Sequence, residues 1–234
     1  MCGIFGSNKF KNFERIYIEN KRRGIYSFGS LYVAANKEIY TSKHKGTRSL
    51  TGDYAYAEDF KWYLGHTQAP TSRQREFSPR TSHPFEDMYH IVAHNGVLEN
   101  HEEIESDYLI NHMNPVDSSV IPALIGMLFD FDEDVMTVEG NEMTRKTGEM
   151  FAIEKTFSLL KGTFACWVYS KLTGCIYLVR SGSTLFGNLN SGEFSSVKIR
   201  GLVEDELEEG VVYCVTTEGL AKCGSFEQNS PFFL

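Results

Sequence analysis

A chain of 234 residues with 41% hydrophobic and 23% charged residues has the make-up of an ordinary globular protein and the length to bury a sizeable core. Its formal net charge of −8 argues against nucleic acid as the principal partner. No apolar run has the length of a membrane span and no secretory signal pattern opens the chain, so neither a membrane partner nor secretion is expected, and the cytoplasm is the expected compartment.

The elements follow in chain order. "CGIFGS" predicts a short buried strand, and "NFERIYIENKRRG" (12–24) predicts a helix stopped by Gly24. "SLYVAAN" (30–36) and "EIYTS" (38–42) predict a hairpin, and "WYLGHTQ" (62–68) and "YHIVAHN" (89–95) two further strands. "HEEIESDYLI" (101–110) and "DSSVIPALIGMLFD" (117–130) read as helices, the second with Asp117 or Ser118 as N-cap. "TGEMFAIEKTFSLLKG" (147–162) carries Met150, Ile153, Phe157 and Leu160 on one stripe, the clearest helical pattern in the chain. "TFACWVYS" (163–170) and "GCIYLVRS" (174–181) form a hairpin, followed by strands at "SSVKIR" (195–200) and "GVVYCVTT" (210–217). The acidic runs "FDFDED" (129–134) and "VEDELEEG" (203–210) read as solvated turns. Strands at both ends with helices between them predict one α+β domain over residues 1–234.

Five cysteines, Cys2, Cys166, Cys175, Cys214 and Cys223, make an odd count without C-x-x-C spacing, which fits neither a disulfide framework nor a zinc site. No metal or cofactor is expected. Cys2 has a chemistry of its own. Removing an initiator methionine would leave a thiol and a free α-amine on one residue, and an amine with pKa of about 7.7–8.0 can serve as general base near neutral pH. A small residue at position 2 is also commonplace, so Cys2 alone decides nothing. In "AHNGVLENH" (93–101), an asparagine amide beside a glycine N–H can form an oxyanion hole, although Asn-Gly is equally a tight-turn dipeptide. "LGHTQAPTS" (64–72) sets hydroxyl and amide groups at a strand end, where they can hold a polar ligand or simply make a turn.

Taken together, "CGIFG", "RRGIYSFG" (22–29), "GHTQAPTS" (65–72), "SHPF" (82–85), "HNGVLENH" (94–101) and "DSSVIPAL" (117–124) resemble the glutaminase domain of class II glutamine amidotransferases, most nearly the one attached to glucosamine-6-phosphate synthase. The resemblance implies the four-layer αββα sandwich of N-terminal nucleophile hydrolases, with two antiparallel sheets between helical layers. It implies Cys2 as nucleophile and Asn95 and Gly96 as the oxyanion hole. It implies a substrate-binding set of Asp117, Gln68, Thr71, Arg23 and His94: Asp117 for the glutamine α-ammonium, Thr71 near its α-carboxylate, and Arg23 beside the N-terminal cysteine. His83, His94 and His101 read as structural histidines, since an amine base needs no imidazole.

Two positions depart from the family pattern. Gln68 stands where the family has a carboxylate-gripping arginine, and Tyr26 where it has an acidic residue; Arg73 and Arg75 could return the charge. Weak or partner-dependent glutaminase activity is the expectation. The chain ends soon after its last strand, so the ammonia acceptor is expected to be a separate synthetase chain, with "PFFL" (231–234) as a docking tail or a packed one. Hydrolysis of another small amide and a catalytically silent regulatory role are the competing functions.

Overall fold

The computed structural model describes residues 2–47, 50, 60–69, 77–111, 114–129, 135–139, 142–146 and 148–229, with 135–139 and 142–146 described for backbone only. The chain runs β1 (Gly3–Ser7), α1 (Phe10–Asn20), β2 (Ser27–Ala34), β3 (Ile39–Lys45), β4 (Phe60–Gln68), β5 (Phe85–Glu86), β6 (His90–Leu98), α2 (His101–Asp107) and α3 (Val120–Leu128). It continues through β7 (Val135–Glu139), β8 (Glu142–Lys146), α4 (Gly148–Leu159), β9 (Gly162–Ser170) and β10 (Ile176–Ser181). β11 (Phe186–Gly187), β12 (Phe194–Ser195), β13 (Asp205–Glu206), β14 (Val211–Thr216) and β15 (Gly219–Ser225) complete it.

Two antiparallel sheets result. One has the order β13-β11-β12-β1-β4-β2-β3 and the other β15-β14-β10-β9-β6-β5, while β7 and β8 pair with each other. Side-chain alternation along the strands divides the apolar residues into three layers of packing. Ile4, Leu31, Leu64, Ile91, Ala93, Trp167 and Leu178 meet between the sheets. Phe13, Ile16 and Tyr17 of α1 cover the outer face of the first sheet on Phe5, Phe28 and Tyr63. Ile121, Leu124 and Ile125 of α3, with Ile153 and Phe157 of α4, cover the outer face of the second on Val92, Cys166 and Val168. The order is helix, sheet, sheet, helix: the α+β αββα sandwich expected. Hydrogen bonds cross between the sheets, among them Trp167 Nε1 to the Gly65 carbonyl at 3.1 Å and His66 Nε2 to the His94 carbonyl at 3.1 Å.

Several local expectations need correction. Helix α1 ends at Asn20, not at Gly24. Gly24 is small for another reason: a Cβ there would lie 2.3 Å from the carbonyl carbon of Gln68. Asn95-Gly96 makes no turn, because β6 runs on to Leu98 with Asn95 opposite Ala165 and Gly96 opposite Phe164. Neither Asp117 nor Ser118 caps a helix directly; with Ser119 they form a 3₁₀ turn ahead of α3. The strand expected over 195–200 stops at Ser195. The Ser196 hydroxyl and carbonyl bond instead to groups from other elements, and a chain spent that way cannot continue a ladder. "VEDELEEG" is more than a solvated turn: it contributes β13, and Glu206 and Glu209 hold the Arg180 guanidinium at 2.6 and 2.5 Å. Of "FDFDED" only Phe129 falls among the described residues, as "PFFL" falls outside them.

Candidate active site

A cavity of about 420 Å³ opens where several strand ends converge. Cys2 precedes β1, Ala69 follows β4, Asn95 to Val97 lie late in β6, Thr163 lies early in β9, and Gly182 to Thr184 follow β10; all line it, as does Arg23. β1 is central in its sheet, between β12 and β4, so Cys2 emerges from a doubly paired strand. Its side chain is half-buried, with Sγ 3.9 Å from the carbonyl of Ala69. Burial raises the thiol pKa, and the Ala69 contact and the Arg23 charge only partly offset it, so the sulfur needs a base to become nucleophilic.

Arg23 fixes this end of the chain. Its Nε donates to the Cys2 carbonyl at 2.8 Å, and Nη1 donates to the Ser196 carbonyl at 2.8 Å and to Thr184 Oγ1 at 3.2 Å. Asn95, 5% exposed, donates from Nδ2 to Ser196 Oγ at 3.3 Å, which leaves the second proton of that amide for other use. Gly96 must be glycine. Its φ is +156°, and a Cβ would lie 1.9 Å from the Thr163 carbonyl oxygen. Among the described residues β5 pairs only with Ile91 and Val92, so β6 has no strand on that side from Ala93 onward.

Asp117, His94 and Gln68 are not among the described residues that line the cavity. Asp117 accepts Leu98 N–H at 2.9 Å on one oxygen and Ser118 N–H at 2.8 Å on the other, which ties its carboxylate to the end of β6. His94 is buried, with Nδ1 2.7 Å from Ser118 Oγ and Nε2 3.4 Å from the Thr163 carbonyl. The Ser118 hydroxyl also donates to Asp117 Oδ1 at 3.2 Å, so it links the His94 ring to the Asp117 carboxylate. Burial lowers the His94 pKa, in keeping with a neutral ring that props the Asp117 turn. His66 is driven to about 3 by burial. Gln68 is 2% exposed, and its Oε1 accepts from Ser27 Oγ at 2.8 Å. Thr71, Arg73 and Arg75 lie outside the described residues. Among the described residues no cluster of three or more His, Cys, Asp or Glu side chains could hold a metal ion, and no helix is long and apolar enough to cross a membrane.

Sequence reading missed Thr163, Ser183, Thr184 and Ser196. Ser and Thr beside strand ends give no local signal that separates a site from a turn.

No family model matches the chain. It is similar to the 7-cyano-7-deazaguanine synthase of Sulfolobus acidocaldarius, 29% identical over 160 residues that cover 60% of this chain and 35% of that protein. It is similar also to the glutamine–fructose-6-phosphate aminotransferase of Listeria monocytogenes, 28% identical over 192 residues, 79% of this chain and 30% of that one. The chain thus spans about a third of the length of the curated relatives it matches. Among solved structures, the glutamine phosphoribosylpyrophosphate amidotransferase of B. subtilis shares the fold with a TM-score of 0.70 and 16% identity, over 97% of this chain and 50% of that one. A class II glutamine aminotransferase domain protein from Silicibacter pomeroyi aligns with a TM-score of 0.52 and 12% identity, over 96% and 98% of the two chains. In sequence and in fold the chain is similar to proteins of the class II glutamine amidotransferase type.

Proposed function

We propose that the chain hydrolyses the side-chain amide of glutamine, with Cys2 as nucleophile once Met1 has been removed, and supplies ammonia to an acceptor enzyme on a separate chain. One observation carries the reading: Cys2 and the Asn95-Gly96 pair, 93 positions apart, line one cavity. The newly freed α-amine takes the thiol proton as sulfur bonds to the amide carbon. The negative charge then developing on oxygen meets the Asn95 amide and the Gly96 N–H. The ammonium returns its proton to the leaving nitrogen, the carbon–nitrogen bond breaks and ammonia departs. Water hydrolyses the γ-glutamyl thioester to glutamate and restores the thiol. Asp117 faces the substrate ammonium in this scheme, a charge-assisted contact.

The test is intact-mass analysis with and without 6-diazo-5-oxo-norleucine, with glutamate release from glutamine measured in parallel. The expected result is loss of Met1, a single adduct on Cys2, and glutamate release that falls about 10²- to 10³-fold in kcat in Asn95→Ala. A retained Met1 with no adduct would overturn it. The enclosed amide of Gln68, bonded to Ser27, favours a second reading in which another small amide is the better substrate. A panel of amides ranked by kcat/KM separates the two, and slow turnover of the isolated chain that rises with the acceptor present is expected for the first.

A further inference from the structure

We propose that Ser196 is the positioning residue that holds the nucleophile strand and the oxyanion donor in one frame, an inference that rests on the glutaminase reading above. Ser196 immediately follows β12 and is 1% exposed. Its backbone N–H donates to the Ile4 carbonyl at 2.9 Å. An ordinary antiparallel pair would return a bond from Ile4 N–H to the Ser196 carbonyl. Here Ile4 N–H goes instead to the Ser196 hydroxyl, at 3.0 Å. The side chain has taken the carbonyl's place in the ladder.

That exchange has two consequences. The released carbonyl accepts from Arg23 Nη1 at 2.8 Å and from Thr184 Oγ1 at 3.0 Å, and Arg23 in turn holds the Cys2 carbonyl. The hydroxyl, already placed by Ile4, accepts from Asn95 Nδ2 at 3.3 Å. Asn95 is in the second sheet and Ile4 in the first, so the hydroxyl is a joint between the sheets at the site. It orients one proton of the Asn95 amide, and the planar amide group thereby fixes the direction of the other. Ser196 touches no reacting atom in this scheme. It acts through Asn95, Arg23 and Ile4.

The experiment is a double-mutant cycle on the full chain with glutamine: wild type, Ser196→Ala, Asn95→Ala and the pair, each checked for folding by thermal unfolding. Ser196→Ala is expected to lower kcat about 10- to 100-fold with KM within about twofold, the size of effect a small misplacement produces. On the Asn95→Ala background the same change is expected to cost much less, because its route to the reaction is already gone. Ser196→Cys, which keeps volume and a weak acceptor, is expected to fold and to give an intermediate kcat; it carries the test if Ser196→Ala does not fold. A kcat for Ser196→Ala and Ser196→Cys equal to wild type, or costs that simply multiply in the double variant, would overturn the role of Ser196 while leaving the glutaminase reading intact. A wild type that releases no glutamate would instead bring down that reading, and this inference with it.

Discussion

The Nε of Arg23 donates to the carbonyl oxygen of Cys2 at 2.8 Å while Nη1 of the same guanidinium reaches the carbonyl of Ser196 at 2.8 Å. One rigid fork thus binds the start of β1 to the end of β12. An ammonium on a flexible stem cannot present two donors at that fixed separation. Arg23→Lys is expected to lower kcat/KM by about tenfold or more, and Arg23→Ala to cost about 1–3 kcal/mol of stability as the Cys2 carbonyl loses the Arg23 donor and the Ser196 carbonyl is left with Thr184. Steady-state kinetics with urea titration measures both; a lysine variant with wild-type kinetics would refute the clamp.

Gly96→Ala sets a methyl 1.9 Å from the Thr163 carbonyl oxygen, and the backbone of β9, paired with β6 over nine residues, yields little. Overpacking of this kind costs about 1–3 kcal/mol. The expected outcome is a lower urea midpoint at unchanged slope, with glutamate release lost because β6 and β9 must separate there. A variant as stable as wild type would show that the two strands adapt.

Gln68 and Asp117 should divide their effects in a way that reverses the sequence-based expectation for the first. The Gln68 side-chain oxygen Oε1 is engaged by Ser27. Gln68→Ala is therefore expected to destabilise the fold by about 1–3 kcal/mol while KM for glutamine stays within about twofold. Asp117→Asn, which removes a charge from the proposed ammonium contact, is expected to raise KM about ten- to a hundredfold with modest change in stability. If KM follows Gln68 and not Asp117, the proposed assignment of the substrate's two ends is wrong.

His90 lies buried between Asp87 and Glu149, 3.5 and 3.3 Å from their carboxylates. Burial pushes its pKa down, but bonds to the two carboxylates outweigh that and hold it above the ordinary value. Burial alone would raise the Glu149 pKa; His90, together with Ser170 and Tyr177, keeps it below the ordinary value. A raised histidine contributes stability fully below its unfolded pKa of about 6.5 and loses it as pH climbs through the folded value. A depressed carboxylate contributes above about 4.3 and loses it as pH falls through its folded value. The pair is thus most stabilising between about pH 4.3 and 6.5 and weakens on both sides. The difference in unfolding free energy between wild type and Glu149→Gln, from urea titrations at pH 5 to 9, is expected to shrink toward the alkaline end. A difference that grows with pH would contradict the assignment.

Much of this was legible in the sequence, for physical reasons that vary by residue. β9 and β10 read plainly because "TFACWVYS" and "GCIYLVRS" are apolar on both faces, one toward the other sheet through Trp167 and one toward α4 through Cys166 and Val168. Cys2 and Asn95 were legible through the motifs that surround them. Asn95-Gly96 misleads as a turn because the dipeptide's local preference is overridden by nine residues of pairing with β9. "SSVKIR" has strand alternation but loses it where the Ser196 hydroxyl substitutes for a ladder carbonyl, an event no periodicity records. The short strands β5, β11 and β13 have two residues each, below what any pattern can carry.

The placement of β1 between β4 and β12 also sets an order of events. Ribosomes release the first strand early, yet its neighbour on one side arrives only with Phe194 and Ser195. For most of synthesis the segment carrying Cys2 has at best one of its two neighbouring strands, so on the proposed chemistry its methionine can be trimmed from an accessible end. The oxyanion donor acquires its acceptor from the same late stretch of chain. The surroundings of the Cys2 thiol are thereby completed late in the chain, by residues nearly 200 positions downstream of it.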